Sequence, residues 1–235
     1  SMKSTIQDKN NLVNSVFSKV YKKYDLMNDI MSFGIHRLWK ESFIDWMNPR
    51  PHTELIDVGS GTGDIAKLFL KKTNFSGTVT CVEPNLKMLE KGKSKLHKYD
   101  NVKWINSSAE KIPINDNSFD FYTISYGIRN VTNINLTLKE ALRVLKPGGR
   151  FMCLEFSKID NEFLDFLYKQ YSKTIPFIGK LIVGSDKPYK YLVDSIEKFY
   201  NQEELVKLMH LNGFSNIEYR NVFNGISAIH SGWKI

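Results

Sequence analysis

Apolar positions in the first fifty residues recur at helical spacing. Val13, Val16, Phe17, Val20, Tyr21 and Tyr24 form one stripe and predict a helix over 11–24. Leu38, Trp39, Phe43, Trp46 and Met47 predict a second, with Gly34 breaking the chain before it and Pro49 and Pro51 ending it. From residue 54 the pattern changes. Short apolar runs at 54–58, 78–82, 101–106, 119–125 and 150–156 read as strands. Between them lie helical stretches at 64–72 (Ile65, Ala66, Leu68 and Phe69 inward), 85–98 and 135–146, the last stopped by Pro147-Gly148-Gly149. This alternation predicts a parallel sheet with helices on both faces. Residues 157–200 break it and read as irregular. Asn201-Gln202-Glu203-Glu204 is a capping box opening a helix that ends at Gly213. Strands at 216–222 and 226–230 flank Asn224-Gly225, a tight-turn signal, so the sheet closes with an antiparallel hairpin.

Composition narrows the class. Hydrophobic residues are 42% and charged residues 25% of 235, which excludes a disordered or collagen-like chain. Cys81 and Cys153 lie in separate apolar runs, so neither a disulfide framework nor a cysteine-rich zinc site is expected, and a reducing compartment is. No apolar run reaches the roughly 18 residues of a helical membrane span, and no signal peptide is legible. Ser1 ahead of Met2 reads as the scar of a removed tag. The net charge of +8 admits nucleic acid or an anionic membrane as partner. Only six of the 33 basic residues are Arg, the side chain that reads bases and phosphates through paired hydrogen bonds, so nucleic acid is not expected.

The first strand runs into Asp57-Val58-Gly59-Ser60-Gly61-Thr62-Gly63-Asp64. Glycines at alternate positions let a ligand approach the backbone closely. A dinucleotide fingerprint would place its third Gly where Asp64 stands, and a carboxylate there would repel a pyrophosphate. S-adenosylmethionine carries a sulfonium and an ammonium group and suits an acidic strand end better than NAD. Glu83, at the end of the second strand, can accept hydrogen bonds from both hydroxyls of a ribose. Ser108-Ala109-Glu110 follows the third strand, where small side chains would lie beside an adenine, and Leu145-Lys146-Pro147-Gly148-Gly149 is a helix stop.

In this order the four elements resemble class I S-adenosylmethionine-dependent methyltransferases. Three further stretches are sharper: Val16-Phe17 through Tyr24-Asp25-Leu26-Met27-Asn28-Asp29 to Ser32–Lys40; Ser125-Tyr126-Gly127-Ile128-Arg129-Asn130-Val131-Thr132; and Leu154–Lys158 with Tyr191–Ile196. Together they are similar to the ubiquinone/menaquinone biosynthesis C-methyltransferase family from about residue 10 to the C-terminus. The resemblance implies a Rossmann-like α/β fold with a mostly parallel seven-stranded sheet. It divides one domain into a helical cap (1–51), a cofactor-binding core (52–156), a substrate lid (157–200) and a closing helix and hairpin (201–235). It implies S-adenosyl-L-methionine as cofactor, held by Asp57, Gly59 and Gly61, by Thr62 at the methionine part, by Glu83 at the ribose, by Ser108 and Ala109 at the adenine, and by Ser125 near the sulfonium. Tyr126 replaces the family's usual Phe and adds a hydroxyl near the site, and Glu83 replaces its usual Asp.

The implied substrate is a polyprenylated quinol of the 2-methoxy-6-polyprenyl-1,4-benzoquinol type, with demethylmenaquinol as the alternative. A ring carbon becomes a good nucleophile only when a neighbouring phenol ionises, so the reduced quinol must be the substrate. Arg129, just past the fourth strand, is the expected stabiliser of that phenolate or of a proton-accepting water. Tyr24, His36 and Asn130 are further candidates for substrate contact. The lid carries Phe163, Phe166, Tyr168, Tyr171, Phe177, Tyr189 and Tyr191 among interleaved lysines, suited to a prenyl tail and to an anionic bilayer. The expected setting is a bacterial cytoplasm or mitochondrial matrix, peripheral to the inner membrane, as a homodimer or within a quinone-biosynthesis complex. Competing readings are an RNA or other-substrate methyltransferase and a non-catalytic scaffold of such a complex. No metal site is expected.

Overall fold

The computed structural model describes residues 5–13 and 24–235, apart from the side chains of 24–27 and of Val183. Residues 5–13 are helical, and the stripe expected over 11–24 lies largely outside the described residues. Helices α1 (Tyr24–Ser32) and α2 (His36–Met47) form the cap. On α2, Trp39, Phe43 and Met47 are buried at i, i+4 and i+8, whereas Leu38 is 60% exposed.

The core alternates as expected: β1 (Glu54–Val58), α3 (Asp64–Lys72), β2 (Thr78–Val82), α4 (Leu86–Lys95), β3 (Val102–Ile105), β4 (Phe119–Ser125), α5 (Ile134–Val144) and β5 (Leu145–Phe156). On α3 the buried face is Ile65, Ala66, Phe69 and Leu70, with Leu68 only half-buried. One expected boundary moves. The Pro147-Gly148-Gly149 stop belongs to β5, which begins at Leu145 rather than 150; Phe119 of β4 pairs with Leu145 across a bulge that absorbs the extra residues.

Residues 157–200 are not irregular. They fold as two helices, α6 (Glu162–Val183) and α7 (Lys187–Lys198). Asn161 caps α6 by accepting from Leu164 N at 2.9 Å. Pro176 inside α6 and the dense mixture of Lys and aromatic residues disguise the period in the sequence. Tyr168, Ser172 and Ile175 nonetheless form a buried stripe on α6, and Tyr189, Leu192, Val193 and Ile196 one on α7. The Tyr168 and Tyr171 hydroxyls donate to Met31 O and Ile30 O at 2.7 and 2.6 Å, which pins α6 onto α1.

Helix α8 (Gln202–Leu211) opens on the expected capping box, with Asn201 and Glu204 exchanging both hydrogen bonds. β6 (Ser215–Val222) and β7 (Ser227–Trp233) form the hairpin, and Asn224 and Gly225 both take positive φ in its turn. The seven strands make one sheet in the order β3-β2-β1-β4-β5-β7-β6. β1 to β5 pair parallel, and β7 runs antiparallel to both neighbours. Alternation along β5 divides the core: Met152, Leu154 and Phe156 pack with α2, α3, α6 and α7, while Phe151 and Cys153 face α5 and α8. The order reverses between β1 and β4, and in open α/β sheets the ligand crevice lies at such a reversal, beyond the carboxyl ends of the strands.

Candidate active site

A cavity of about 580 Å³ occupies that position. Its floor is Val58, Gly59 and Gly61 after β1, and Ile124, Tyr126 and Gly127 after β4. Gly59 and Gly61 have φ of +64° and +56°, a left-handed backbone that side-chain-bearing residues rarely take. One wall carries Glu83, Asn85 and Met88, another Ser108 and Ala109, and a third Asn130 to Asn133. Gln7, Asn10 and Asn11 of the N-terminal helical segment close the remaining side.

Glu83 is held before any ligand arrives. Its Oε1 accepts from Gly61 N at 2.9 Å and its Oε2 from Asn85 N at 2.7 Å, which leaves each oxygen a further lone pair. The longer side chain thus reaches back to fasten the glycine loop. Burial pushes its carboxyl up to about 7 despite those two amides.

Asp57 lies beneath the loop and does not line the cavity. Its Oδ1 accepts from Thr123 Oγ1 at 2.8 Å, and its buried Oδ2 has no hydrogen-bond partner among the described residues. Burial pushes it, too, up to about 7. Asp64 does not act by repulsion. Its carboxylate is clamped by Lys40 at 3.1 Å and Lys95 at 3.0 Å. Burial opposes its ionisation, but the two ammonium groups overcome that and hold it well below the usual carboxylate range.

The other expected residues divide. Gly59, Gly61, Glu83, Ser108, Ala109 and Asn130 line the cavity. Thr62 and Ser125 are half-buried at its margin and are not among the lining residues. The Tyr126 ring lines it, with positive φ at the end of β4, but its hydroxyl sits 3.0 Å from Ser227 Oγ in the hairpin. His36 is fully buried in the cap, 3.0 Å from Asp29 and edge-on to Tyr126. The side chain of Tyr24 lies outside the described residues.

Arg129 is buried rather than on the surface. Its Nη1 lies 2.5 Å from Glu155 Oε1, and its Nε donates to Ser195 Oγ of α7 at 3.3 Å. Burial raises the carboxyl of Glu155 even against this guanidinium. The neighbouring Asn130 Oδ1 accepts from Tyr191 Oη at 2.6 Å. The 128–131 turn is therefore held from β5 and α7 together.

Sequence reasoning missed several parts of the site. Glu110 Oε1 accepts from Thr132 N, Thr132 Oγ1 and Asn133 N at 2.8, 3.1 and 3.2 Å, and so fixes the wall opposite Ser108. Residues 5–13 bring Ile6 and Val13 as well as Gln7, Asn10 and Asn11 to the cavity, although the sequence marked none of them as part of a site. Asn85 is a helix cap, its Oδ1 accepting from Met88 N at 3.1 Å, and this role was legible in its position before α4.

The residues present fit S-adenosylmethionine. A buried carboxylate stands at the end of β2 with lone pairs to spare, small and apolar groups (Ala109, Met88, Leu136) line a slot for a base, and side-chain-free backbone lies at the loop.

The fold is that of S-adenosylmethionine-dependent methyltransferases. It matches such an enzyme from Thermotoga maritima with a TM-score of 0.68 and 21% identity, over 95% of this chain and 100% of that one. It matches another from Aquifex aeolicus with a TM-score of 0.62 and 19% identity, over 83% and 89%. Sequence relatives are nearer. A ubiquinone/menaquinone biosynthesis C-methyltransferase UbiE of Rickettsia bellii is 50% identical over 97% of this chain and 94% of its own. One of Brucella suis is 47% identical over 97% and 87%. The chain belongs to the ubiE/COQ5 methyltransferase family, whose pattern matches residues 3–234.

Proposed function

We propose that this protein transfers a methyl group from S-adenosylmethionine to a ring carbon of a polyprenylated quinol. The observation that carries the reading is the likeness, over nearly the whole chain, to C-methyltransferases of quinone biosynthesis. When bound, the cofactor supplies an electrophilic methyl on a sulfonium, which becomes a neutral thioether as the ring carbon forms its new bond and the ring proton passes to solvent. Glu83 orients the ribose through its free lone pairs, and Ser108 and Ala109 flank the base. Gly59 and Gly61 admit the methionine part to the backbone, beside Thr62 and Ser125, over the unpaired oxygen of Asp57. Asn130 belongs to the substrate side, whereas His36, buried against Asp29 and away from the cavity lining, is reduced to a part of the cap. Arg129 favours the ionised quinol from behind the 128–131 turn, its field shared with Glu155. The half-enclosed cavity excludes water from the transfer, and positioning supplies most of the rate.

Nucleic acid is a poorer substrate. Arg129 and Arg143 are engaged with carboxylates, and Arg150 is sandwiched between Trp46 and Trp233 at 5.0 and 4.9 Å. An anionic bilayer is the better partner. No helix among the described residues is long and apolar enough to cross a membrane. α6 does expose Phe163, Phe166, Phe177 and Leu181 at helical spacing, beside Lys169, Lys173 and Lys180. The named relatives are bacterial, which supports a bacterial setting.

The test is incubation with S-adenosylmethionine and short-tailed methoxybenzoquinol or demethylmenaquinol, read by mass spectrometry. One methyl gained on a ring carbon is expected, and the quinol that gains it names the pathway. Cofactor binding without gain on either quinol would overturn the reading.

A further inference from the structure

The 128–134 turn after β4 is a partition. The cavity described above lies on one side of it, and a second of about 580 Å³, against α7, lies on the other. α7 grips this partition at two consecutive residues. Tyr191 and Ser195, one helical turn apart on one face of α7, reach Asn130 and Arg129. Ser195 Oγ accepts from Arg129 Nε at 3.3 Å and donates to Leu192 O at 2.9 Å. Tyr191 Oη donates to Asn130 Oδ1 at 2.6 Å. The stretch 191–196 stood out in the sequence without a role, and two of its side chains make this grip.

The Tyr191 bond decides which end of the Asn130 amide is available. A side-chain amide has an accepting oxygen at one end and a donating NH2 group at the other, and the two ends are alike in shape, so hydrogen bonds set its orientation. The Tyr191 hydroxyl takes up Oδ1. Nδ2 has no hydrogen-bond partner among the described residues, and Asn130 is half-buried and lines the first cavity. The main chain beneath it is fixed, with Asn130 N donating to Gly127 O at 3.0 Å. The neighbouring donors of the turn are spent within the protein: Arg129 on Glu155 and Ser195, and the Thr132 hydroxyl on Glu110.

We propose that Tyr191 is a positioning residue that holds the Asn130 amide with its NH2 end toward the first cavity, where it donates to a ring oxygen of the quinol. The inference rests on the quinol reading above. When the hydroxyl proton of the quinol passes to solvent, its oxygen is left with the negative charge. An aimed N–H donor stabilises that phenolate more than it stabilises the neutral hydroxyl. An amide turned the other way would set its own oxygen against the charge. The amide does not take the proton, so its share is orientation and charge stabilisation.

The test compares Tyr191→Phe, Asn130→Asp and the double variant with the unaltered protein. Tyr191→Phe keeps the ring and removes only the hydroxyl. Asn130→Asp keeps an acceptor for Tyr191 and puts an ionised oxygen where the donor was. With a short-tailed quinol, kcat should fall about three- to tenfold in Tyr191→Phe and about 100-fold in Asn130→Asp. In both, the rise of kcat with pH should move up by about half a unit or more, because the phenolate is less favoured. The double variant should be no slower than Asn130→Asp alone, since Tyr191 acts through an amide already gone. S-adenosylmethionine affinity by calorimetry should stay within about twofold in Tyr191→Phe, because the glycine loop and Glu83 stand on other elements. Losses that multiply in the double variant, or an unmoved pH dependence, would overturn the proposal and leave Tyr191 a packing residue. The orientation is also read without turnover, from the NMR signals of the Asn130 side-chain amide, identified by their loss in Asn130→Asp. They should report one orientation in the unaltered protein and exchange between two in Tyr191→Phe. Signals indifferent to Tyr191→Phe would overturn the proposal. The expected exchange in a protein that methylates no quinol would leave the orientation standing and overturn the reaction instead.

Discussion

Asp57 and Glu83 are two carboxyl groups that burial pushes up to about 7, one beneath the glycine loop and one fastening it. Their ordinary values are 3.8 and 4.5, so between about pH 4 and 7 the ligand-free folded protein keeps protons that the unfolded chain has released. Stability therefore falls as pH rises through that window. Asp57→Asn should flatten the fall, read as Tm against pH. Glu83 must be ionised to accept two ribose hydroxyls, so S-adenosylmethionine affinity should rise from about pH 6 to about 8 and then level. Glu83→Gln should abolish that rise and weaken binding roughly 10- to 100-fold, from about 1.5–3 kcal/mol for hydrogen bonds to a charged group. A wild-type Kd flat across this range by calorimetry would show that Glu83 is ionised throughout. Arg129 needs a paired experiment. Arg129→Ala alone strands the buried Glu155 and should cost about 3–5 kcal/mol, lowering Tm whatever the chemistry. Adding Glu155→Gln should restore most of the Tm. Turnover that stays low in the double variant supports action on the substrate, and recovered turnover reduces Arg129 to a structural part.

Among the elements, α6 and α7 had the least legible sequence and carry the most separable packing. The fully buried Tyr189 ring lies on Gly179, where a Cβ would come within 2.1 Å of its Cδ2. Gly179→Ala should therefore wedge the two helices apart and destabilise the protein by about 1–3 kcal/mol. Its S-adenosylmethionine affinity should hold within about twofold, because the glycine loop and Glu83 stand on other elements. A Tm equal to wild type would show that the helices re-pack at no cost. The stripe Tyr189, Leu192, Val193, Ile196 follows helical spacing and was there to be read. The segment read as irregular because it broke the strand–helix alternation, and local pattern carries no information about the partner helix that orders it. The short strands, by contrast, were legible from continuous apolar runs, since strands covered on both faces need no alternation.

For the molecule as a whole, the proposed membrane contact draws on the net charge of +8 and on the exposed apolar residues of α6. Co-sedimentation with anionic vesicles should be strong at low salt and weaken as salt screens the lysines. Phe166→Ser with Leu181→Ser should weaken it at every salt concentration while leaving the stability within about 1 kcal/mol of wild type, because both side chains are exposed. Binding unchanged by that pair would place the contact elsewhere. The cap and α6 are joined by the Tyr168 and Tyr171 hydroxyls, and the cap and the start of α3 by the Lys40–Asp64 pair.

By itself the sequence determined the alternation of β1 to β5, the closing hairpin, the glycine loop and the carboxylate at Glu83. Each of these is written in local pattern: apolar runs, turn residues and positions fixed relative to a strand end. Only the tertiary structure decided that Asp64 is neutralised by Lys40 and Lys95, that Arg129 is spent partly on Glu155, and that Glu110 builds a wall of the site. It alone brought residues 5–13 over the cavity and set a second cavity behind the 128–134 turn. The physical reason is common to these cases. A charge or polar group has its role set by what faces it across space, and the partners here lie from 22 to 122 positions away along the chain.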